Sequence, residues 1–407
     1  MVDLNSRLKN LGFVPASSLR DHQVKIFRNI EDELGGYRVK NNQGEVIIIE
    51  KTFPYGSSYG NFLIQNDTRN DEIYKFCKTR NSINNDGNLI YIDTETTGLS
   101  GGTGTIPFLI GYGFYNEKGF ITRQIFLDDP TNELAQLNEF SREMNNFDTT
   151  VTFNGKSFDL PLLRTRFVLS KLSVPFEQYS HIDLLHIARK LWKNRLSDRS
   201  LKELESNILD FTRSQDDIPG WLIPQVYFDF LKTGESSQLK NVVYHNQLDI
   251  VSMAVLFEKI KTIFTLSEDD NSIDPMDLYS IAKMYFHIGE FEQAVSLFEK
   301  CLYYIGDSQK NSVDIHMSLA EIFKKRNEYE KSIPHWAACI AMNNIQACIE
   351  MAKFFEHHEK NLIEAIFWAN KAYNLLEVSS KPKYIRIQES KIIQKRITRL
   401  SRKIENV

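Results

Sequence analysis

A short apolar run that ends in two carboxylates, LIYIDTET at residues 89–96, constrains the fold of this chain more than any other feature. Its apolar residues predict a buried strand, and Asp93 and Glu95 follow directly. On a strand, residues i and i+2 point to the same face, so both carboxylates project into one space. Like charges so close together are unfavourable unless a cation lies between them or one is protonated. The stretch therefore predicts a divalent-metal site.

Further candidate residues occur at two later places in the chain. Asp159 follows the β run TTVTFN at the start of a predicted helix, five residues after Asn154. Asp249 lies on another predicted helix, with His245 one turn before it on the same face. Strand Asp-x-Glu, then Asn-xxxx-Asp, then His-xxx-Asp is the order and chemistry of a nuclease that uses two metal ions. Oxygen ligands without a Cys/His cluster favour Mg²⁺ or Mn²⁺ over zinc.

Each of these residues also has an ordinary structural interpretation. Asp159 could cap the helix that it begins, and Asn154 could hold the strand end through hydrogen bonds. His245 could be an exposed helix residue, and Asp249 alone would pass as a solvated one. Because all the carboxylates occur in the right order, we favour the site over a set of coincidences.

Strands and helices around these motifs predict an α/β domain. The runs LIYIDTE, TIPFLIGYGFY and GFITRQIFL predict three strands, separated by Gly and Asn-Glu turn signals. A helix, DDPTNELAQLNEFSREM, and the short strand TTVTFN follow, and helical periodicity dominates from Phe158 to about residue 265. We expect an α/β domain at residues 86–265, and we interpret Asp183 and His181 within it as structural.

The first 85 residues are expected to form a separate α+β segment of unknown role. Apolar runs such as EVIIIEKTF alternate in it with turn-rich stretches such as YGSSYGN. The polar loop NSINNDGN at 81–88 marks its end.

An internal repeat begins after LSEDDNSIDP, where strand patterns disappear. Two copies have matching residues 7, 9, 12 and 16 positions after an alanine. After Ala282 these residues are Gly289, Phe291, Ala294 and Phe298, and after Ala320 they are Asn327, Tyr329, Ser332 and Trp336. A looser third copy, with about one residue inserted between its helices, begins at Ala352. The pattern resembles the tetratricopeptide repeat and predicts paired helices at residues 275–378. The alternative is an ordinary helical bundle with coincidental spacing.

A basic helix at residues 381–407 is predicted to cap the repeats. Its apolar face carries Ile393, Ile397, Leu400 and Ile404. Residues 381–403 contain nine Lys and Arg against the single Glu389, and residues 156–202 contain ten against four Asp and Glu. On a chain of net charge −4, two basic segments indicate a polyanion partner, although solvated helix faces would give the same pattern.

Composition argues against a membrane or secreted protein. Apolar residues make up 42% of the chain, yet no segment approaches the roughly 20 uninterrupted apolar residues of a bilayer span. The N-terminal stretch MVDLNSRLKNLGFVP lacks the apolar region of a signal peptide. The four cysteines form neither a CxxC pair nor a disulfide framework, which fits a reducing cytoplasm.

Three motifs, DTETTGL, FNGKSFDLPLL and HNQLDIVSM, resemble the exonuclease motifs of the DEDD superfamily, which has the ribonuclease H-like fold. HIDLLHIARKLW and SLKELESNIL are similar to bacterial ribonuclease H-like proteins that carry a C-terminal tetratricopeptide region, a group that includes the mitomycin repair factor B exonucleases. The resemblance covers residues 88–265 and, less closely, the repeats. It implies a mixed sheet with flanking helices and a 3′→5′ exonuclease of DNA repair in the bacterial cytoplasm.

The resemblance also assigns roles to the motif residues. The side chains that would hold two Mg²⁺ or Mn²⁺ ions are Asp93, Glu95, Asp159 and Asp249. In the two subgroups of the superfamily, a histidine precedes the last aspartate by five residues or a tyrosine precedes it by four. Here His245 lies four residues before it and Tyr244 five. Helix geometry favours His245 as the base that accepts the proton of water, and Tyr244 remains the alternative.

Candidate substrate contacts flank the motifs. Chosen by charge and placement, they are Thr96, Asn154, Lys156, Arg164 and Arg199. Phe108 and Phe158 could stack on a terminal base, but we expect core burial for both. The Gly-rich SGGTGT lacks the GK[ST] ending of a P-loop, so nucleoside triphosphate binding is not indicated.

Three interpretations of function remain open. The first is a DNA exonuclease whose repeats recruit a protein partner, for which the resemblance implies a repair helicase, or help to grip DNA. The second has the same chemistry on RNA, since nothing in the sequence reads a 2′-hydroxyl. The third is a tetratricopeptide scaffold with an inactive nuclease-like domain. Retention of all four carboxylates and His245 counts against the scaffold.

Overall fold

The computed structural model describes six stretches of the chain: residues 30–66, 71–76, 88–98, 104–265, 273–306 and 311–405. These residues divide into two compact units. The first contains the described residues up to Arg189 together with Asp198–Thr265, and the second contains Lys190–Ser197 together with the described residues from 273 onward. None of the helices in these stretches is long and apolar enough to span a membrane.

The first unit is built on a mixed β-sheet. The strands in its described residues are β1 (Gly36–Asn41), β2 (Gly44–Pro54), β3 (Ser58–Tyr59), β4 (Phe62–Leu63), β5 (Leu89–Thr96), β6 (Pro107–Asn116), β7 (Gly119–Phe126), β8 (Thr149–Thr152) and β9 (Ser180–Asp183). Seven of them form one sheet in the order β1-β2-β7-β6-β5-β8-β9, and β3 pairs with β4. The adjacent pairs β1-β2, β2-β7, β7-β6 and β6-β5 are antiparallel, whereas β5-β8 and β8-β9 are parallel. The predicted mixed sheet is confirmed.

The core of this unit lies around the central strands. Seven consecutive residues of β6, beginning at Pro107, are buried, so both faces of the sheet are covered there. Fully buried side chains from four strands meet in one apolar cluster, among them Ile47, Ile92, Ile110 and Phe126. Burial on this scale is the main term that stabilises the unit.

A long helix crosses the sheet beside the β5 motif. The described helices before residue 266 are α1 (Ile30–Leu34), α2 (Asp71–Phe76), α3 (Glu133–Met144), α4 (Asp159–Leu169), α5 (Leu184–Leu191), α6 (Leu201–Ile208), α7 (Ile223–Thr233) and α8 (Leu239–Thr265). α8 has 27 residues and packs on β5, β6 and β7. Two glycines of β6 permit the close approach, because a Cβ on Gly111 would overlap Asn246 and one on Gly113 would overlap Ile250. Polar residues of α8 thereby reach the end of β5.

The first unit differs from the sequence-based expectation in two places. β1 and β2 belong to the same sheet as β5, so the boundary expected at residue 85 does not separate an independent segment. The pairing of β2 with β7 joins residues more than 60 positions apart, which local periodicity cannot reveal. The helical run expected from Phe158 onward is interrupted by β9, whose four residues are too few for an alternation signal. The remainder of the expected first segment, at 1–29, 67–70 and 77–85, lies outside the described residues.

The second unit is all-helical in its described residues, as predicted. Its helices after residue 272 are α9 (Pro275–Ile288), α10 (Phe291–Ile305), α11 (Ser312–Lys325), α12 (Tyr329–Ala341), α13 (Ile345–His357), α14 (Leu362–Glu377) and α15 (Lys383–Glu405). They pack as successive pairs, α9 on α10, α11 on α12 and α13 on α14, with α15 on α14. The buried cysteines of this unit, Cys301, Cys339 and Cys348, are free thiols, and Cys77 lies outside the described residues.

The helix pairs have the spacing of the sequence repeat. The three alanines that begin the copies are 0% exposed: Ala282, Ala320 and Ala352. A residue with left-handed backbone follows the first helix of each pair, namely Gly289, Asn327 and Lys360. The third of these comes eight residues after its alanine rather than seven, which matches the insertion seen in the sequence.

The last helix packs through one apolar face. Ile393 and Leu400 are buried as expected, but Ile404, in the last turn, is 38% exposed. The carboxylate of Glu356 on α13 is 0% exposed and binds three cations of α15, Arg396, Arg399 and Lys403. The helix is therefore held by an ion cluster as well as by apolar contacts.

Candidate functional site

Asp93 and Glu95 lie at the end of β5, between β6 and β8 in the middle of the sheet. Asn246 of α8 donates its Nδ2–H to Asp93 Oδ2 at 2.7 Å, and Gln124 Nε2 donates to Asn246 Oδ1 at 2.8 Å. Because the side chains of Asn246 and Gln124 are buried, this chain of hydrogen bonds fixes the Asp93 carboxylate. The register of β5 with β6 shifts after Glu95, where the strand leaves its partner.

Asp159 is the first residue of α4 and contacts β5. The N-cap position belongs to Phe158, so the interpretation of Asp159 as a helix cap is wrong. Its Oδ1 accepts hydrogen bonds from the backbone N–H of Thr94 at 3.1 Å and from the Thr94 hydroxyl at 2.6 Å. The carboxylate is 9% exposed. These bonds attach the start of α4 to the strand that carries the other two carboxylates.

The turn between β8 and α4 is organised by Asp183 of β9. Asp183 accepts hydrogen bonds from the backbone N–H groups of Asn154 at 2.9 Å, Lys156 at 3.1 Å and Leu185 at 3.1 Å. Asn154 has a φ of +66°, a left-handed conformation that asparagine tolerates better than most residues. Asp183 thus has the structural role inferred from the sequence.

A buried arginine binds the carboxylate of Asp249 on α8. The Arg213 side chain is 5% exposed and donates to Asp249 Oδ1. It also donates to both carboxylate oxygens of Glu205 on α6, at 2.6 Å each, and lies 3.4 Å from Asp217. Arg213 is therefore a cation enclosed by three carboxylates, with a bidentate bond to one of them.

His245 faces the same carboxylates. Its Nδ1 lies 2.7 Å from Asp217 Oδ1, and its Nε2 lies 3.7 Å from Asp249 Oδ2. The hydroxyl of Tyr244 instead contacts Ser214 Oγ at 3.3 Å. The residue four positions before Asp249 is thus the one beside its carboxylate, which is the geometry expected from the helix period.

Burial, with repulsion between carboxylates, raises the pKa values of Asp93, Glu95 and Asp159. Desolvation, followed by the charges of Asp249 and Asp159, raises the pKa of Asp93 well above its ordinary range. Desolvation, followed by repulsion from Asp93, does the same to the pKa of Glu95. Burial raises the pKa of Asp159 to about 6, although hydrogen bonds from Thr94 oppose the shift. The four carboxylates lie within electrostatic reach of one another, and their charge is incompletely compensated.

The chemistry of this donor set fits a divalent cation. Carboxylate oxygens are the ligands that Mg²⁺ and Mn²⁺ prefer, and a bound cation would remove the repulsion that raises their pKa values. Within the described residues, however, no three His, Cys, Asp or Glu side chains are arranged so that they could hold a metal ion as they stand. Three of the carboxylates are instead bound to protein donors. Asp249 is bound by Arg213, Asp93 by Asn246 and Asp159 by Thr94. A metal would have to exchange with some of these bonds.

A surface pocket opens onto the carboxylates. Its lining includes Asp93 and Asp249 together with Asn154, Arg189 and Arg199. The lining thus combines two arginines and an asparagine with three carboxylates, the third being Asp198. Positive charges at this position suit a phosphate group that approaches the carboxylates.

Other predicted contacts lie elsewhere. Arg164 forms an exposed ion pair with Glu177, and Lys156 is exposed on the turn before α4. The Thr96 hydroxyl donates to the backbone oxygen of Gly98 at 2.8 Å. Of the two aromatic residues, Phe108 is buried as expected, whereas Phe158 is 54% exposed. The loop residues 99–103 lie outside the described part of the chain.

Sequence reasoning missed the residues that hold the site in place. They are Arg213, Glu205, Asp217 and Asn246. Asn246 lies in HNQLDIVSM and Glu205 in SLKELESNIL, whereas Arg213 and Asp217 lie outside the stretches quoted above. Arg213 and Asp217 occur in the segment FTRSQDD, which has no periodicity. The opposite charges of Arg213 and Asp217 are four residues apart, but the segment is not helical, so this spacing gives no helix signal.

Comparisons with known proteins agree with this fold. The family model described as the RNase_H superfamily matches residues 90–261. The uncharacterized protein YprB of Bacillus subtilis (strain 168) is 34% identical over 324 residues, which cover 78% of this chain and 76% of YprB.

A solved structure, the family B DNA polymerase of the hyperthermophilic archaeon Pyrobaculum calidifontis, matches 54% of this chain at 12% identity, with a TM-score of 0.36. The match spans only 29% of the polymerase chain, and a likeness of this degree carries no functional weight. The family match and the identity to YprB decide the relationship. The chain belongs to the family of YprB, and its residues 90–261 form a ribonuclease H superfamily domain.

Proposed function

We propose that the protein is a metal-dependent 3′→5′ exonuclease that hydrolyses phosphodiester bonds of DNA. One observation carries the proposal: Asp93, Glu95, Asp159 and Asp249 interact electrostatically, and three of them have raised pKa values. Such a cluster costs folding free energy unless it binds a cation or a proton, so a binding function accounts for it better than a structural one. The ribonuclease H superfamily fold supports nuclease chemistry.

In this proposal the four carboxylates would hold the divalent ions, either Mg²⁺ or Mn²⁺. Such ions lower the pKa of a bound water and stabilise a departing 3′ oxygen. His245 would accept the proton of the attacking water, because its Nε2 is directed toward Asp249. Arg189, Arg199 and Asn154 would orient the phosphate at the pocket.

The remaining features of the proposal come from the sequence. The motif resemblance supports a DEDD-type site and a role in DNA repair in the bacterial cytoplasm. The repeat spacing and the three helix pairs support a tetratricopeptide-like array that would bind a protein partner such as a repair helicase. An RNA substrate is the second candidate, because the pocket residues named above would bind a phosphate and would not distinguish ribose from deoxyribose.

The test is cleavage of a DNA duplex labelled at the 5′ end of one strand, with Mg²⁺, Mn²⁺ or EDTA, beside an RNA strand of the same sequence. We expect a metal-dependent ladder of shortening labelled products that is lost in Asp93→Ala and His245→Ala. A ladder that survives His245→Ala would move the base to Tyr244. Absence of cleavage of either polymer with both metals would favour the inactive scaffold.

A further inference from the structure

We propose that Asp217 is a positioning residue that fixes the tautomer and orientation of His245. The inference rests on the proposed function, since it assigns a task to a neighbour of the proposed base. Asp217 lies outside all three motifs, in a segment between α6 and α7.

His245 Nδ1 lies between a hydrogen-bond acceptor and a hydrogen-bond donor. Its Nδ1 lies 2.7 Å from Asp217 Oδ1 and 3.4 Å from Arg213 Nη1. A carboxylate only accepts hydrogen bonds and a guanidinium only donates them, so the two neighbours require opposite states of Nδ1. The shorter contact to the carboxylate decides, and Nδ1 carries the proton. In the neutral imidazole, Nε2 is then the nitrogen with the lone pair, and at 3.7 Å from Asp249 Oδ2 it is beyond hydrogen-bond distance.

The lone pair on His245 Nε2 is on the side of the carboxylate site. Nε2 lies on the side of Asp249, 3.7 Å from its Oδ2. Asp249 is one of the residues that line the pocket with Asp93. The Nδ1–H tautomer therefore directs the proton acceptor toward the carboxylate site, whereas the other tautomer would present an N–H group there.

Asp217 is held in place by buried polar neighbours. Its side chain is 9% exposed, and Arg213 lies 3.4 Å from the same oxygen that binds His245. Arg213 is fixed in turn by its bidentate bond to Glu205, whose side chain is 1% exposed. The carboxylate of Glu205 also accepts a hydrogen bond from Ser252. A chain of buried polar groups thus holds Asp217 in one place, as expected of a residue that orients another.

A purely structural ion pair would account for the same contacts, so the test must measure more than stability. In Asp217→Leu the acceptor is gone, and Arg213 Nη1, 3.4 Å from His245 Nδ1, would donate to that nitrogen. The proton would then move to Nε2. Asp217→Asn keeps an amide oxygen that can accept from both His245 and Arg213, so it should retain the wild-type tautomer. The matched control is Asp216→Asn, which changes the adjacent exposed carboxylate.

The experiment is ¹⁵N–¹³C NMR of the metal-free full-length protein with labelled histidine, at about 2 pH units above the ordinary histidine pKa of ~6.5. The His245 signal is assigned with His245→Gln. We expect the Nδ1–H tautomer in the wild type, in Asp216→Asn and in Asp217→Asn, and the Nε2–H tautomer in Asp217→Leu. An Nε2–H wild type would overturn the proposal without any variant, as would an unchanged tautomer in folded Asp217→Leu.

Kinetics on the metal-loaded enzyme give a second readout. A positioning role predicts that kcat falls about 100-fold or more in Asp217→Leu while KM changes little, because the base is misprotonated and binding is intact. A loss confined to KM would contradict the role. A wild type that cleaves no polymer but shows the predicted tautomer switch would refute the proposed function and leave the positioning of His245 supported.

Discussion

Replacing Arg213 with methionine removes the cation that holds the buried network together. Its side chain is 5% exposed and lies among Glu205, Asp217 and Asp249, whose side chains are 1%, 9% and 19% exposed. Methionine has a similar volume and cannot compensate the charges. In Arg213→Met, three carboxylates would therefore remain close together with little access to water.

The size of the effect follows from this burial. Removing one partner of a buried ion pair costs about 3 to 5 kcal/mol, because the remaining charge is left desolvated. At about 2 °C per kcal/mol for a domain of this size, the melting temperature of the first unit should fall by about 6 to 10 °C. The predicted loss of stability agrees with the pKa of Arg213. Burial alone would lower this pKa, but the bonds to Glu205 and Asp249 raise it.

The assay is thermal and urea unfolding of the metal-free protein, followed by circular dichroism. Arg164→Met is the matched control, because Arg164 forms an ion pair with Glu177 in which both side chains are more than 40% exposed. The control should lose less than about 1 kcal/mol. Adding Glu205→Gln to Arg213→Met should recover part of the loss, since it removes one of the unpaired charges. A cost below about 1 kcal/mol for Arg213→Met would refute the reasoning.

Three further changes test other parts of the structure. Burial raises the pKa of Asp159 to about 6 in the metal-free fold, so its ionisation costs folding free energy that grows as the pH rises from ~4 to 6 and is constant above that. Asp159→Asn should therefore raise the free energy of unfolding by about 1 to 3 kcal/mol at pH ~8, and the gain should vanish as the pH falls from 6 toward 4. Hydrogen bonds to basic side chains outweigh burial and lower the pKa of Glu356 to about 2, so Glu356→Gln should cost about 2 kcal/mol at neutral pH and progressively less from pH ~4.5 down to ~2 in urea titrations. Gly111→Ala should displace Asn246 from Asp93 and destabilise the first unit by about 1 to 3 kcal/mol, whereas Gly220→Ala, where a Cβ would meet open space, should cost less than about 0.5 kcal/mol.

Local patterns in the sequence were enough to find the elements that carry the candidate site. The strand carrying Asp93 and the helix carrying Asp249 each gave a periodic signal within about ten residues, and the spacing of His245 from Asp249 follows from the helix period. The repeat alanines were equally visible, because their spacing recurs.

Long-range packing lay beyond those patterns. The pairing of β2 with β7 joins distant segments, and β9 is only four residues long. The contact between Arg213 and Asp249 spans 36 residues, and nothing in the local sequence of either predicts it. Burial of a charged side chain is a property of the folded core rather than of a motif, and that is why the cation of the site was missed.

The central claim is that the carboxylates around Asp93 form a divalent-metal site. Manganese titration of the full-length protein, with free Mn²⁺ measured by electron paramagnetic resonance, tests it without any substrate. We expect saturable binding of about two ions per chain in the wild type and a loss of that binding in Asp93→Asn, with Glu177→Gln as the surface control. Equal binding by the wild type and Asp93→Asn, or no saturable binding by either, would contradict the account.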